Sequence, residues 1–578
     1  MVDLRLVDDP HSVEVFVRWL TRALQQGQAV AIDTETNGLN WWEDDFTRLV
    51  QFGICDSGWA LPVSWHPRLI TWAIEQIKLA GVMTPMHNCK FDMHALEGDG
   101  FPVPAWEQVQ DTMVLHHLAT PHLPHGLKPV ATAAFGSWAA DGDFFLKAAA
   151  KAAGVKWWLM PVDHPLYWGY GIVDTILTAR LYEKLRCFTS TETGTAYDRE
   201  MEYTRIMYEA EVRGIRVDTT YSADLLQQWT AEAENTALWL QQQGIENPSS
   251  NKMVEEALRT LGWEPDLLTD TGQAQLDKLV LVELQKRGGL MAEVATRLME
   301  YKRKVKWCST YLAPFATSGG RVHPTVRTLG AKTGRSSITG PPLQTLPSGD
   351  PAIRNAVLPE EGCDLYAIDY SGQEYRILAA ESKDPAWLRE FEGGAGDPHQ
   401  MVADMLGLER SVAKTFNFAM VYGAGNKKLA ESTGLSINAV KKFLALYNKE
   451  FPGIKQFKDS LELAGLQQTR KGEDATVTTI GGRHAVAYPD QLYALTNYKI
   501  QGSGADVLKE ATCQLAAAGL AQYIMLPVHD ELTFSFPKGE GAVLSAECQD
   551  IMTNTDWYQL PIPAESSGPF ACWGSAYE

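Results

Sequence analysis

Carboxylates at the ends of apolar runs are the residues in this 578-residue chain best suited to chemistry. Asp33 and Glu35 end a short β-type run, and residues two apart on a strand point to the same face. Two acidic groups on one face repel each other unless a cation lies between them, which is the arrangement that two-metal hydrolysis requires. A solvent-facing acidic strand end is the ordinary alternative, because so short a motif often occurs by chance.

Two later motifs add groups of the same kind. Asn88 to Asp92 follows a β-type run and opens a helix, and Tyr170 lies four residues before Asp174, on the same helical face. A phenol within hydrogen-bond reach of a water molecule can orient it for attack. Together the three motifs favour a hydrolytic metal site over an isolated acidic strand end.

In this order, the motifs D-x-E, N-x-x-F-D and Y-x-x-x-D resemble those of the proofreading 3′–5′ exonucleases with a ribonuclease-H-like fold. The resemblance extends over roughly residues 25–185. It implies two Mg²⁺ ions, for which Mn²⁺ can substitute, and a set of carboxylate ligands: Asp33, Glu35, Asp92 and Asp174. It also implies that Tyr170 orients the attacking water.

A second set of acidic residues lies in the C-terminal two thirds of the chain. Asp369 closes an apolar run, and Asp530 and Glu531 lie in a predicted hairpin that spans 523–536. Carboxylates on separate strands can share two Mg²⁺ ions, which activate a primer hydroxyl and neutralise charge on a triphosphate. For a lone aspartate at a strand end, a helix cap is the ordinary alternative.

Between these acidic residues, four side chains recur at every fourth position of a predicted helix: Arg410, Lys414, Phe418 and Tyr422. On a helix with 3.6 residues per turn, this spacing makes one slowly winding stripe. Two cations followed by two aromatic rings suit a triphosphate followed by a sugar and a base, because cations pair with phosphate oxygens and rings stack on bases.

The motifs DYSxxExR, RxxAKxxNFxxxYG and VHDE resemble motifs A, B and C of the family A DNA polymerases, the group of bacterial DNA polymerase I. The resemblance spans about residues 197–578 and implies that Asp369 and Asp530 hold two catalytic Mg²⁺ ions, with Glu531 adjoining. It implies that Arg410 and Lys414 grip the triphosphate, and that Lys414 can protonate the leaving pyrophosphate.

The same resemblance implies further contacts with nucleotide and DNA. Phe418 would pack on the sugar, Tyr422 would lie by the templating base, and Glu374 would exclude a ribose 2′-hydroxyl. Residues implied to follow the minor groove and the primer end are Arg335, Asn497, Gln501 and His529. A basic cluster on a predicted helix suits the duplex backbone, or else a solvated helix face: Lys302, Arg303 and Lys306. Five positions depart from the family pattern and leave the details of nucleotide and template contacts open: Pro342, Gly372, Gln373, Ser411 and Ala419.

The elements that must position these residues fall into two units. Residues 1–190 alternate strands with helices, which predicts an α/β ribonuclease-H-like 3′–5′ exonuclease domain. For residues 191–578 the resemblance implies an α+β right-hand polymerase domain. Its thumb would cover about 197–345, its palm about 346–384 and 500–578, and its fingers about 385–499.

Composition narrows the class of protein further. No stretch approaches the roughly 20 apolar residues of a membrane-spanning helix, and the N-terminus lacks a signal-peptide pattern. Eight scattered cysteines form no CxxC pair, which favours a reduced, cytoplasmic protein. The net charge of −20 does not exclude DNA, because a cleft can be basic on an acidic body.

We therefore expect a monomeric DNA-directed DNA polymerase with 3′–5′ proofreading, acting on primer–template DNA and dNTPs. Since the chain begins almost at the exonuclease motifs, it resembles a bacteriophage enzyme working in the host cytoplasm, although a truncated bacterial enzyme fits the same pattern. A processivity factor or replisome partner, and the fidelity, stay open. The alternatives are a single-subunit RNA polymerase, against which Glu374 argues, and an exonuclease whose inactive polymerase domain only binds DNA.

Overall fold

The computed structural model describes residues 2–43, 46–190, 193–265, 268, 272, 274–346, 350–392, 396–421, 423, 425–554, 557–558 and 560–577. The N-terminal unit alternates strands with helices, as predicted. Its strands are β1 (Asp3–Leu6), β2 (Ala31–Thr36), β3 (Thr47–Gly53), β4 (Ser57–Pro62), β5 (Thr84–Met86) and β6 (Val109–Asp111). Its helices are α1 (Pro10–Gln25), α2 (Pro67–Ala80), α3 (Cys89–Gly98), α4 (Thr112–Ala119), α5 (Leu127–Phe135), α6 (Asp141–Ala153) and α7 (Pro165–Leu185).

The main sheet of this unit has the strand order β1-β4-β3-β2, with β1 parallel to β4 and the other neighbours antiparallel. Apolar side chains of β2 and β3, including Ile32 and Phe52, form a core with α1 and α2. Helix α7 packs across β2, β3 and β4. Gly171 allows this close approach, because a Cβ atom there would lie 2.4 Å from the Gln51 side chain. The short parallel pair of β5 and β6 leads into α3 and α4.

The C-terminal unit begins with helices and short strands. Its first helices are α8 (Thr193–Arg213), α9 (Thr219–Gln242), α10 (Asn251–Thr260), α11 (Lys278–Lys286), α12 (Gly289–Trp307) and α13 (Ala313–Thr317), with a π-helical turn (Cys308–Leu312) between α12 and α13. Its first strands are β7 (Ile215–Val217), β8 (Arg321–Val322), β9 (Thr325–Arg327), β10 (Ser337–Thr339) and β11 (Val357–Leu358). Residues 197–319 are largely helical, and β7 interrupts them.

The rest of the unit surrounds a four-stranded antiparallel sheet of order β15-β16-β12-β17. The strands are β12 (Cys363–Tyr370), β13 (Ala475–Thr478), β14 (His484–Ala487), β15 (Ile524–Val528), β16 (Glu531–Pro537) and β17 (Ala564–Phe570). The helices are α14 (Gln373–Ser382), α15 (Pro385–Phe391), α16 (Pro398–Leu406), α17 (Arg410–Val421), α18 (Asn426–Thr433), α19 (Ile437–Glu450), α20 (Pro452–Arg470), α21 (Ala494–Ala517) and α22 (Gly541–Thr553). The predicted strand before Asp369, the 523–536 hairpin and the helix that begins at Arg410 are all present.

Candidate active sites

The acidic residues of the N-terminal unit come together around the end of β2. Asp33 and Glu35 lie on β2, Asp92 on α3 and Asp174 on α7. The backbone N–H and the hydroxyl of Thr34 donate to Asp92 Oδ1 at 2.9 and 2.8 Å, so the residue between the two β2 carboxylates ties the strand to α3. The structure therefore brings together the four carboxylates that the three motifs predicted.

Burial shifts the titration of all four groups, and repulsion within the cluster adds to the shift at Asp33 and Glu35. The pKa values of Asp33 and Glu35 are raised well above the ordinary range, by burial first and then by the neighbouring carboxylates. Burial raises the pKa of Asp92 to about 7, although the hydrogen bonds from Thr34 oppose the shift. Burial also raises the pKa of Asp174, against the pull of a nearby lysine. A positive charge placed among the four crowded carboxylates would therefore stabilise their ionised forms.

That lysine, Lys128 at the start of α5, is a site residue that sequence reasoning missed. Its ammonium forms an ion pair with Asp174 and lies 4.3 Å from the ring centroid of Tyr170. The same charge acts to lower the pKa values of Asp33 and Glu35. No pattern around residue 128 announces this role, because it depends on how α5 docks against α7.

This acidic cluster fits a divalent cation in charge and in donor chemistry. Four carboxylates face one paired lysine, and hard oxygen ligands are those that Mg²⁺ prefers. Within the described ranges, no three His, Cys, Asp or Glu side chains already surround a common metal position. Asp92 instead accepts hydrogen bonds from Thr34, and Asp174 contacts Lys128. These side chains would therefore have to turn toward a bound ion.

In the C-terminal unit, the sheet register brings a second group of carboxylates together. Asp369 on β12 lies opposite Glu531 on β16 and opposite Glu565 on β17. Asp530 lies in the turn between β15 and β16, where its backbone carbonyl accepts a hydrogen bond from the N–H of Tyr370 at 3.3 Å. Glu565 was not predicted, because β17 has no apolar alternation from which its register could be read.

Burial again raises the pKa values of these groups. Burial and the charge of Asp530 raise the pKa of Asp369 to about 7, and burial with the neighbouring aspartates raises that of Glu531 to about 8. The pKa of Asp530 is also raised by burial, and Arg335 opposes the shift. His529, the residue before Asp530, has a φ of 61°, which a non-glycine residue rarely adopts. A strained turn thus presents Asp530 beside Asp369.

The predicted stripe of cations and rings lies on α17. Lys414 is exposed, and Phe418 packs with its ring centroid 5.4 Å from Tyr375 and 5.9 Å from His399. Arg410 is exposed as well, and its Nε donates to Asp397 Oδ2 at 2.8 Å. Sequence reasoning missed both partners from the α16 region, Asp397 and His399. The fourth member of the stripe, Tyr422, lies outside the described residues.

The predicted sugar gate and one predicted DNA contact lie against each other. Glu374 is buried on α14, and its carboxylate forms an ion pair with Arg335. Arg335 also lines a small cavity together with His529. Gly372 precedes α14 with a φ of 63°, so this departure from the family pattern occupies a left-handed position that favours glycine. Gln373 is buried against Gly504 of α21.

The remaining predicted DNA contacts lie on two helices. Asn497 and Gln501 are one turn apart on α21, and Asn497 Oδ1 is buried and accepts no hydrogen bond from the residues that the structure describes. On α12, Lys302 donates to Asn251 Oδ1 at 2.8 Å, Arg303 lies over the ring of Trp307, and Lys306 is exposed. Two members of the α12 cluster thus already have partners of their own. Its contact with the duplex stays a prediction.

None of the helices in the described ranges has the length and apolar character needed to cross a bilayer. The family model for DNA polymerase family A matches residues 219–571, and the model for 3′–5′ exonuclease matches residues 11–187. The two matches include the acidic clusters of the two units.

Several curated proteins are similar to the chain along most of its length. The DNA polymerase of Mycobacterium phage L5 is 32% identical, with 96% of this chain and 93% of that protein covered. The DNA polymerase of Mycobacterium phage D29 is 31% identical, with 100% and 98% covered. DNA polymerase I of Chloroflexus aurantiacus is 28% identical over 82% of this chain and 53% of that protein.

Among solved structures, the POL domain of Pol1 from M. smegmatis, in complex with DNA primer-template and dNTP, has a TM-score of 0.77. It is 22% identical, and the match covers 100% of both chains. This likeness confirms the predicted fold of an α/β exonuclease unit followed by a right-hand polymerase unit.

Proposed function

The chain belongs to DNA polymerase family A and carries a 3′–5′ exonuclease domain, and from this premise we propose the residues that perform the two reactions. In the polymerase centre, Asp369 and Asp530 hold two Mg²⁺ ions, with Glu531 beside them, and Mn²⁺ can substitute. When bound, the ions activate the primer 3′-hydroxyl and neutralise charge on the triphosphate. The opposed register of Asp369 and Glu531 supports this assignment.

The α17 residues would bind the incoming dNTP. Arg410 and Lys414 are exposed cations one helical turn apart, suited to phosphate oxygens, and Lys414 can deliver a proton to the departing pyrophosphate. Phe418 would pack on the sugar, with Tyr422 by the templating base. The buried Glu374 side chain, held by its ion pair with Arg335, would exclude a 2′-hydroxyl by occupying the space that a ribose requires.

In the exonuclease centre, Asp33, Glu35, Asp92 and Asp174 would hold two Mg²⁺ ions, which supply an activated water and stabilise the leaving oxygen. Tyr170 would orient that water through its hydroxyl. The burial of these carboxylates and their raised pKa values support the assignment. Ionising clustered, buried carboxylates costs free energy unless a cation compensates their charge.

We also assign the substrate contacts and the setting. Primer–template DNA would run past a set of polar residues that read it without sequence preference: Arg335, Asn497, Gln501 and His529. Lys302, Arg303 and Lys306 would touch the duplex backbone. The thumb, palm and fingers would have the predicted bounds, and the enzyme would act as a monomer. The phage relatives support a role in phage DNA replication in the host cytoplasm.

Primer extension with Mg²⁺ and a labelled primer tests both assignments in one assay. The native chain should lengthen the primer with dNTPs and shorten it without them. Asp369→Asn should abolish lengthening and spare shortening, whereas Asp33→Ala with Glu35→Ala should do the reverse. Shortening by the native chain in both lanes would instead favour an exonuclease whose polymerase domain only binds DNA. Efficient use of rNTPs would contradict the role of Glu374.

A further inference from the structure

Arg410, the first cation of the α17 stripe, already has a fixed anionic partner. Its Nε donates to Asp397 Oδ2 at 2.8 Å. The other oxygen of that carboxylate, Oδ1, accepts from the backbone N–H groups of His399 and Gln400, both at 3.0 Å. Asp397 is thus the N-cap of α16 with one oxygen and the partner of Arg410 with the other.

The surroundings of this pair place it at the nucleotide pocket. His399, two residues after Asp397, packs against Phe418, and the charges of both Lys414 and Arg410 act on its ring. Burial is the largest single influence on the pKa of Asp397 and acts to raise it, but the hydrogen bonds from Arg410 and from the α16 backbone together outweigh it and lower the pKa, so the group is ionised. One carboxylate therefore pairs with Arg410, one of the two cations that a triphosphate would use.

We propose that Asp397 is the counter-ion of Arg410 in the enzyme without nucleotide, and that the dNTP triphosphate displaces it. This inference rests on the proposed role of Arg410. Asp397 is a positioning residue: its cap bonds fix it to α16, and its second oxygen holds the Arg410 side chain until the nucleotide arrives. An incoming phosphate oxygen then replaces a carboxylate oxygen, and the guanidinium exchanges one anion for another.

The exposure of the pair makes such an exchange feasible. The side chains of Arg410 and Asp397 are 53% and 42% exposed, and ion pairs this open to water are weak and screened by salt. The competition should therefore be modest. Pairs of this kind correspond to roughly 1.5- to 5-fold in a binding constant. A buried ion pair would be costly to separate, so a triphosphate could not readily replace the carboxylate.

The test is Asp397→Asn, with dNTP affinity taken from single-turnover incorporation rates in the Asp33→Ala, Glu35→Ala background. Asparagine caps helices about as well as aspartate, so the change removes the charge and keeps the N-cap of α16. We expect the dNTP Kd to fall by roughly 2- to 5-fold at low salt, with the difference shrinking at high salt. Asp404→Asn, an exposed carboxylate on the same helix that pairs with Gln400, is the matched control and should leave the Kd unchanged.

A double-mutant cycle separates exchange from a general loss of negative charge. In an Arg410→Gln background, Asp397→Asn should no longer change the Kd; an equal gain there would overturn the proposal. An unchanged or weaker Kd for Asp397→Asn alone would also overturn it. If Arg410→Gln by itself leaves dNTP affinity intact, the proposed role of Arg410 fails instead. Exonuclease activity of Asp397→Asn in the otherwise native chain should match the native rate and reports folding.

Discussion

Replacing Lys128 by methionine should shift the pH dependence of the exonuclease while leaving the polymerase unchanged. Lys128 pairs with Asp174 and acts to lower the pKa values of Asp33 and Glu35. Methionine keeps the apolar length of the side chain and removes the charge. The three carboxyl groups should then titrate at higher pH, and because metal binding requires their ionised forms, exonuclease activity should begin at higher pH.

The size of the expected pKa shift follows from the contact between Lys128 and Asp174. At an effective dielectric constant of about 20, opposite unit charges about 4 Å apart interact by ~4 kcal/mol, or ~3 pKa units at about 1.36 kcal/mol per unit. A bound Mg²⁺ supplies part of the same compensation, so we expect a rise of about 1–2 units in the pH of half-maximal activity. The Mg²⁺ requirement near pH 7 should rise by roughly 10- to 100-fold. At alkaline pH the variant should bind Mg²⁺ at least as tightly as the native chain, because a competing cation is gone.

The assay is degradation of a 5′-labelled single strand across pH and Mg²⁺ concentration, with primer extension by the same preparations as the internal control. Lys151→Met, a change at an exposed position of α6, should leave both activities unaltered. A pH profile for Lys128→Met that coincides with the native one would refute the reasoning, as would a shift to lower pH. Loss of polymerase activity as well would mean that Lys128 supports the fold and not the site.

Four other changes have defined outcomes. Phe418→Tyr should ease dideoxynucleotide incorporation, because a phenol adds a polar contact beside the sugar, and Glu374→Ala should relax the rNTP/dNTP selectivity; single-nucleotide extension measures both. Arg483→Met should lower the free energy of unfolding by about 3–5 kcal/mol in urea titrations, because Arg483 is fully buried and pairs with Glu200 and Asp506. Mg²⁺ should raise the melting temperature more at pH 8 than at pH 5.5. Folding raises the pKa values of these carboxyl groups, so the folded state loses stability once the groups ionise. A bound cation compensates their charge and restores that stability.

Asp33 and Asp369 could be predicted because each lies at the end of a buried apolar run, a local pattern that survives without knowledge of the rest of the fold. Asp33 follows Ala31 and Ile32 on β2, and Asp369 follows a run that becomes β12, an inner strand of the four-stranded sheet. The helical stripe from Arg410 was equally local, since a fixed period defines a helix face. Most of the architecture could therefore be predicted from strand ends, helix periods and the order of the motifs.

The residues that sequence reasoning missed have roles that arise only when distant elements dock. Lys128 meets Asp174 across 46 positions, and Glu565 reaches Asp369 only through the register of β17. Asp397 looks like an ordinary helix cap in the sequence, and it is one; its second oxygen gains a role from the neighbouring helix. No periodicity within a single element can reveal a partner of this kind, because the information lies in the packing of one element on another.

The solvent exposure of an ion pair decides how easily its carboxylate can be replaced by another anion. The Lys128–Asp174 pair has side chains only 19% and 8% exposed, so separating it without a replacement charge is costly, and it should persist until metal ions compensate the carboxylates. The Arg410–Asp397 pair is open to water, so a triphosphate can exchange with the carboxylate at little cost. If the proposed roles hold, a chain with a net charge of −20 presents Arg410 to nucleotide through a weak, exposed ion pair, while it keeps Lys128 in a buried pair.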